Sequence, residues 1–217
     1  MERKDVAGET SGEQLANSIT HGLGVMLSVA ALSVLVTFAA VWGNAWHVVG
    51  FSVYGSTLVT LYLASTFYHA FRSARIKRVL RVVDHAGIYL VIAGTYTPFT
   101  LVSFRGPWGW SVFGIMWGLA AAGIILKVLF MGRGRILSVA VYVAMGWFIV
   151  IALKPALAAI PVGGVAWLVA GGAAYMGGVA FYAWKRLPYN HAVWHLFVLC
   201  GSVCHFFAVL FYVLPEH

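Results

Sequence analysis

Seven apolar runs, each close to the length of a membrane span, fill this sequence almost end to end. They lie near residues 19–42, 46–70, 82–103, 109–130, 136–153, 161–183 and 190–213. A helix needs about 20 largely apolar residues to cross the hydrocarbon layer of a bilayer. Backbone groups in lipid must find their partners within the segment, so the runs read as helices. The strict period-two alternation of a β-barrel is absent. Polar or Gly/Pro breaks separate the runs: Gly43-Asn44, Arg72–Arg81, Arg105-Gly106-Pro107, Gly132–Arg135, Lys154-Pro155 and Lys185–Pro188. The expected architecture is therefore an all-α integral membrane protein, a bundle of seven transmembrane helices. A short N-terminal segment (1–18) precedes a single transmembrane domain (19–213), and a tail (214–217) follows it. The first run is too long for a signal peptide's apolar core, and it follows Glu2, Asp5, Glu9 and Glu13.

Composition excludes the common alternatives. Of the 217 residues, 62% are hydrophobic and 9% charged, against about 45–50% and about 25% in soluble domains. A soluble enzyme, a DNA-binding protein and a disordered tail are ruled out. The net charge of +8 does not point to nucleic acid, because the basic residues flank the apolar runs and form no patch. Their distribution sets the orientation instead. Twelve of the 14 Lys and Arg fall on one side: Arg3, Lys4, Arg72, Arg75, Lys77, Arg78, Arg81, Lys127, Arg133, Arg135, Lys185 and Arg186. Arg105 and Lys154 fall on the other. The positive-inside bias then predicts a cytoplasmic N-terminus and an outer C-terminus, in a multi-pass protein of the cell membrane. Membrane lipids are its natural partners, with the Arg72, Arg75, Arg78 and Arg81 ridge suited to anionic headgroups.

The ionisable residues inside the runs are expensive, and their positions are informative. Asp84 is the one acidic residue in the membrane-embedded body, where a charge costs about 2.5–3.5 kcal/mol on insertion scales. Its bland reading is a helix N-cap or an ion pair with Arg81. Around it, His69 ends the second run, His191 and His195 open the seventh, and His21 opens the first. All lie within a few turns of the cytoplasmic side. His191 and His195 are spaced i, i+4, which puts two imidazoles on one helix face, as in zinc-binding helices. Ser65 and His69 share that spacing, and Glu13, Asn17 and His21 continue it at the first run.

Three imidazoles (His69, His191, His195) would leave one open position on a tetrahedral Zn2+, for water or substrate. Asp84 would then hydrogen-bond that water or serve as its general base, and Ser65 would orient it or donate to an oxyanion. Glu13, Asn17 and His21 are candidates for the outer shell. The other histidines read as structural: His47 and His217 as solvated, and His205 as hydrogen-bonded within the bundle. Cys200 and Cys204 read as small buried hydrophobes. Gly94-Thr95-Tyr96-Thr97-Pro98 predicts a kink in the third run, with Thr hydroxyls satisfying the freed carbonyls.

These residues resemble the hemolysin III family, the bacterial branch of the progestin and adipoQ receptor family. The resemblance spans nearly the whole chain. It rests on Glu13-x-x-x-Asn17-x-x-x-His21, on Ser65-x-x-x-His69, and on Asp84-His85-x-x-Ile88-Tyr89 leading to Ala93-Gly94-Thr95-Tyr96-Thr97-Pro98. It closes with Pro188-Tyr189-Asn190-His191-Ala192-x-Trp194-His195. It implies seven spans, a cytoplasmic N-terminus and a zinc ion held by His69, His191 and His195, with Asp84 and Ser65 beside it. Because the wider superfamily includes alkaline ceramidases, it also implies hydrolysis of a lipid-like amide or ester. No protein hormone is expected as a partner, since the chain has almost no outer domain to receive one. Three functions follow in order: a zinc-dependent membrane hydrolase serving lipid and energy homeostasis, a non-enzymatic membrane sensor with a structural zinc, and, last, a cytolytic pore.

Overall fold

The computed structural model describes residues 8–129 and 135–214, and those residues form helices and turns without strands. The N-terminal tail up to Ala7, and with it Glu2, Arg3, Lys4 and Asp5, lies outside the described residues, as do Arg133, Glu216 and His217. Helix α1 spans Ser11–Trp42, α2 Ala45–Ala70 and α3 Ala74–Pro98, the last continuing as a π turn over Phe99–Ser103. Helices α4 (Pro107–Leu129), α5 (Arg135–Trp147), α6 (Leu153–Ala159), α7 (Val162–Ala183) and α8 (Asn190–Tyr212) complete the chain. Six of these are long and apolar enough to cross a membrane. The bent pair α5–α6, broken by 59°, is apolar enough only as a pair, and counted as one span it brings the number to seven.

Helix α1 begins eight residues before the apolar run because a capping box nucleates it. The Thr10 hydroxyl accepts the Glu13 N–H (3.2 Å), and the Glu13 carboxylate accepts the Thr10 N–H (2.9 Å). The two orphan donors are satisfied reciprocally. At 32 residues the helix is about 48 Å long, more than the roughly 30 Å of hydrocarbon it must cross. Its first turns therefore stand clear of the lipid core.

The basic stretch after α2 is also helical, contrary to the loop expected there. Arg and Lys are strong helix formers, and only Phe71–Ser73 interrupt the two helices. Asp84 consequently does not open the third span. It sits ten residues, or about 15 Å, into α3, whose N-cap is Ser73, so the N-cap reading of Asp84 falls away. The Arg ridge is fully exposed along this extension.

Two prolines shape the middle spans. Pro98 lacks the N–H that Gly94 C=O would accept, and the helix passes it by widening into the π turn. The Thr97 hydroxyl donates to Ala93 C=O (2.9 Å), the Thr95 hydroxyl to Val91 C=O (2.7 Å) and the Thr100 hydroxyl to Tyr96 C=O (3.0 Å). Further on, the Pro155 ring clashes with a helical carbonyl four residues earlier. The fifth run, expected to be continuous over 136–153, therefore breaks at Ile151-Ala152 into α5 and α6.

The bundle is built by α1 against α2 and α8, α2 against α3, α3 against α4, and α7 against α8. Its main core joins Leu35, Phe51, Tyr54, Leu58, Tyr62 and Val209. A second cluster, around Tyr89, Val112, Met116 and Met145, joins α3, α4 and α5. Large apolar side chains such as Met26, Val41, Val169 and Phe211 point outward, as suits a surface whose solvent is lipid. Helices α2 and α3 meet closely because Gly94 has no side chain. A Cβ there would overlap the Thr57 hydroxyl, and this fixes the depth at which α3 presents Asp84 relative to His69.

Candidate metal centre

His69 lies in the last turn of α2, while His191 and His195 occupy the first two turns of α8. The start of α8 is held from two sides. The Asn190 amide donates to the carbonyls of Phe181 and Tyr182 (both 3.2 Å), closing the end of α7. Tyr189, the N-cap, adopts a left-handed backbone (φ 56°), which a bulky residue keeps only when its surroundings enforce it. Its N–H donates to Glu13 Oε1 (3.3 Å). Glu13 thus serves both the cap of α1 and the entry of α8.

One ring nitrogen from each of His69, His191 and His195 lies within 4.8 Å of the other two. The rings meet edge to face. Centroids are 4.9 Å apart for His69–His191, 5.2 Å for His69–His195 and 4.6 Å for His191–His195. His69 and His195 are buried, and His191 half-buried.

The Nδ1 atoms have partners that orient the rings. His191 Nδ1 is 2.6 Å from Glu9 Oε1, and His69 Nδ1 is 3.4 Å from Glu9 Oε2. A carboxylate only accepts, so His191 Nδ1 presents its N–H to Glu9, while His69 Nδ1 stands within ion-pair distance of the same carboxylate. His195 Nδ1 is 3.2 Å from the Thr20 hydroxyl. That hydroxyl already donates to the carbonyls of Ala16 (2.9 Å) and Asn17 (3.0 Å), so it accepts from His195. With the protons on Nδ1 of His191 and His195, the Nε2 atoms of those two rings carry lone pairs. His69 Nε2 and His195 Nε2 are buried with no hydrogen-bond partner, a condition that costs about 1–3 kcal/mol per group. Metal-ligating histidines characteristically pass their other N–H to a carboxylate or similar acceptor. This donor set therefore fits a divalent metal such as zinc.

The remaining predicted residues divide. Asn17 Nδ2 lies 3.4 Å from His69 Nδ1. His21 stacks on His195 with centroids 3.5 Å apart, its edge toward Tyr62, and neither of its ring nitrogens has a partner. Ser65 is buried one turn before His69, its hydroxyl unpartnered. Asp84 is buried on α3. Its Oδ2 is 3.5 Å from His85 Nδ1, and it stands outside the group of three converging nitrogens. His205 Nδ1 donates within the bundle to Gly201 C=O (2.8 Å), as expected. His47 is a correction: it is buried, closing the Asn44 capping box of α2, with Nε2 3.1 Å from Val213 C=O. Cys204 is buried but Cys200 is exposed.

Sequence reasoning missed Glu9 and Thr20. By sequence Glu9 belongs to a hydrophilic tail, although positions 9, 13, 17 and 21 form one i, i+4 register. Burial by itself would raise the Glu9 carboxyl, but hydrogen bonds from His191 and His69 outweigh it and hold the group well below the usual carboxylate range. Beside His21, an apolar cleft of about 230 Å³ opens between α1, α2 and α8. Gly24, Leu58, Tyr62, Leu199, Ser202 and Phe206 line it.

The profile of the family described as Haemolysin-III related matches residues 11–206. The chain is 48% identical to Hemolysin-3 of Bacillus cereus over 203 residues, covering 94% of this chain and 93% of that protein. It is 46% identical to the Hemolysin-3 homolog of Bacillus subtilis (strain 168), covering 94% and 95%. The human Monocyte to macrophage differentiation factor is 26% identical over 213 residues, covering 94% and 86%.

Proposed function

This chain belongs to the haemolysin III-related family, and on that premise we propose that it is a zinc-dependent membrane hydrolase. It cleaves a lipid-like amide or ester at the three-histidine centre and so serves membrane lipid homeostasis. The observation that carries this reading is the arrangement of acceptors. Glu9 and Thr20 take the Nδ1 protons of His191 and His195, and one ring nitrogen of each of the three histidines converges on a space for one ion. Zinc, when bound, supplies Lewis-acid polarisation and activation of water at neutral pH.

The chain's own residues do the rest. Asp84 accepts a proton from the attacking water and returns it to the leaving group. The Ser65 hydroxyl, with no competing partner, donates to the oxyanion. The cleft beside His21 receives an acyl chain from the surrounding lipid, because its lining offers apolar contact and little else.

The test is elemental analysis of purified wild type and the His69→Ala/His191→Ala/His195→Ala triple variant in detergent, followed by a panel of ceramides and lipid esters. About one zinc per chain in the wild type and none in the variant supports the site. Asp84→Asn should then keep the metal and lose turnover. A folded, unchelated wild type without metal overturns the reading. A second reading, a sensor with a structural zinc, is favoured by the origin of the ligands on two helices, α2 and α8, which a metal would tie together. Zinc with no turnover on any lipid amide or ester would select it.

A further inference from the structure

The geometry points to Glu9 as a positioning carboxylate that sets the metal affinity of the histidine centre and couples metal occupancy to docking of the N-terminal segment. This rests on the zinc reading above and deepens it. Glu9 precedes the first helix, so nothing in the bundle's packing requires its side chain to turn inward. Yet its two oxygens reach two rings on different helices: Oε1 is 2.6 Å from His191 Nδ1 on α8, and Oε2 is 3.4 Å from His69 Nδ1 on α2. One carboxylate thereby fixes the tautomer of His191 and places its charge beside His69.

Charge gives the contact a second purpose. Three neutral imidazoles add nothing to offset a buried dication, whereas a carboxylate one ring away does. Of the other described carboxylates, Glu13 holds the Thr10 and Tyr189 N–H groups, and Asp84 stands outside the group of three converging nitrogens. The capping box at Thr10 and Glu13 sets the backbone immediately after Glu9, so the carboxylate is delivered by the first turn of α1. Docking and metal binding therefore share the same two rings, and each must strengthen the other by the same factor.

The experiment uses the full chain in detergent, stripped of metal. Zn2+ is titrated against a chromophoric chelator, and Co2+ is added separately as a spectroscopic probe. Amide hydrogen exchange is followed over residues 8–14. Glu9→Gln should bind Zn2+ about 10–100-fold more weakly, with displaced Co2+ absorption bands. Glu9→Asp should restore part of both. In the wild type, zinc should slow exchange over residues 8–14, and in Glu9→Gln it should not. Zinc affinity within about twofold of wild type and an unchanged Co2+ spectrum in Glu9→Gln would overturn the proposal. So would a variant whose metal-free form already melts lower and is not rescued by Asp, since that is a purely structural role. A wild type that binds neither metal overturns the zinc reading itself, a separate result.

Discussion

Thr20→Val is the most discriminating single change, because it removes one hydroxyl and keeps the side chain's shape. Valine keeps the branched shape of threonine and replaces the hydroxyl with a methyl. The Thr20 hydroxyl spends its proton on the carbonyls of Ala16 and Asn17 and its lone pair on His195 Nδ1, 3.2 Å away. Those carbonyls keep their helical partners, so the loss falls on His195, whose ring is fully buried and is left with the Asn17 carbonyl as acceptor. A buried donor that loses its acceptor costs up to about 1–3 kcal/mol. The metal-free protein can evade that cost by moving the proton to Nε2, which has no other partner. The metal-bound protein cannot, because the metal needs that lone pair. The penalty therefore appears in metal binding, at roughly tenfold per 1.4 kcal/mol, or about 5- to 150-fold. Chelator-competition titration with Zn2+ measures it directly, and Thr20→Ser, which restores the acceptor, should recover the wild-type value. Equal zinc affinity in wild type and Thr20→Val would refute both the assigned tautomer and the convergence of the Nε2 atoms.

Other expectations follow from packing and charge. Gly94→Ala drives a Cβ into the Thr57 hydroxyl, so it should destabilise the bundle by about 1–3 kcal/mol in denaturant unfolding, and Thr57→Ala should relieve part of this. Tyr62→Phe removes the hydrogen bond from its hydroxyl to Ser202 Oγ (2.7 Å) at a cost of about 0.5–1.5 kcal/mol. Tyr175, which also reaches Ser202 Oγ (3.1 Å), should keep the loss at the low end. The Glu9 carboxyl is held below its ordinary value of 4.5. A depressed folded value means that its stabilisation is fully present above that pH and is lost as pH falls below it. The melting difference between metal-free wild type and Glu9→Gln should therefore not shrink between pH 8 and 5, and should vanish only on strong acidification.

The sequence by itself determined the class and singled out the three histidines that the fold brings together. Apolar runs of spanning length leave a chain no choice but helices, since lipid offers backbone groups no partner. The i, i+4 spacing of His191 and His195 puts two rings on one face whatever the neighbours do. His69, one turn beyond Ser65, follows by the same local rule. The tertiary structure decided what depends on where helices begin and on what lies opposite. The capping box at Thr10 starts α1 early enough to bring Glu9 under the rings, and the helical basic stretch buries Asp84 three turns inside α3. Pro155 bends the fifth span, a local effect legible in principle. Thr20 as the acceptor for His195 was not legible: the two are 175 positions apart, and only the packing of α1 on α8 makes them neighbours. Helix periodicity is a property of adjacent residues. The tautomer of a buried histidine is set by whichever group the fold places against its other nitrogen.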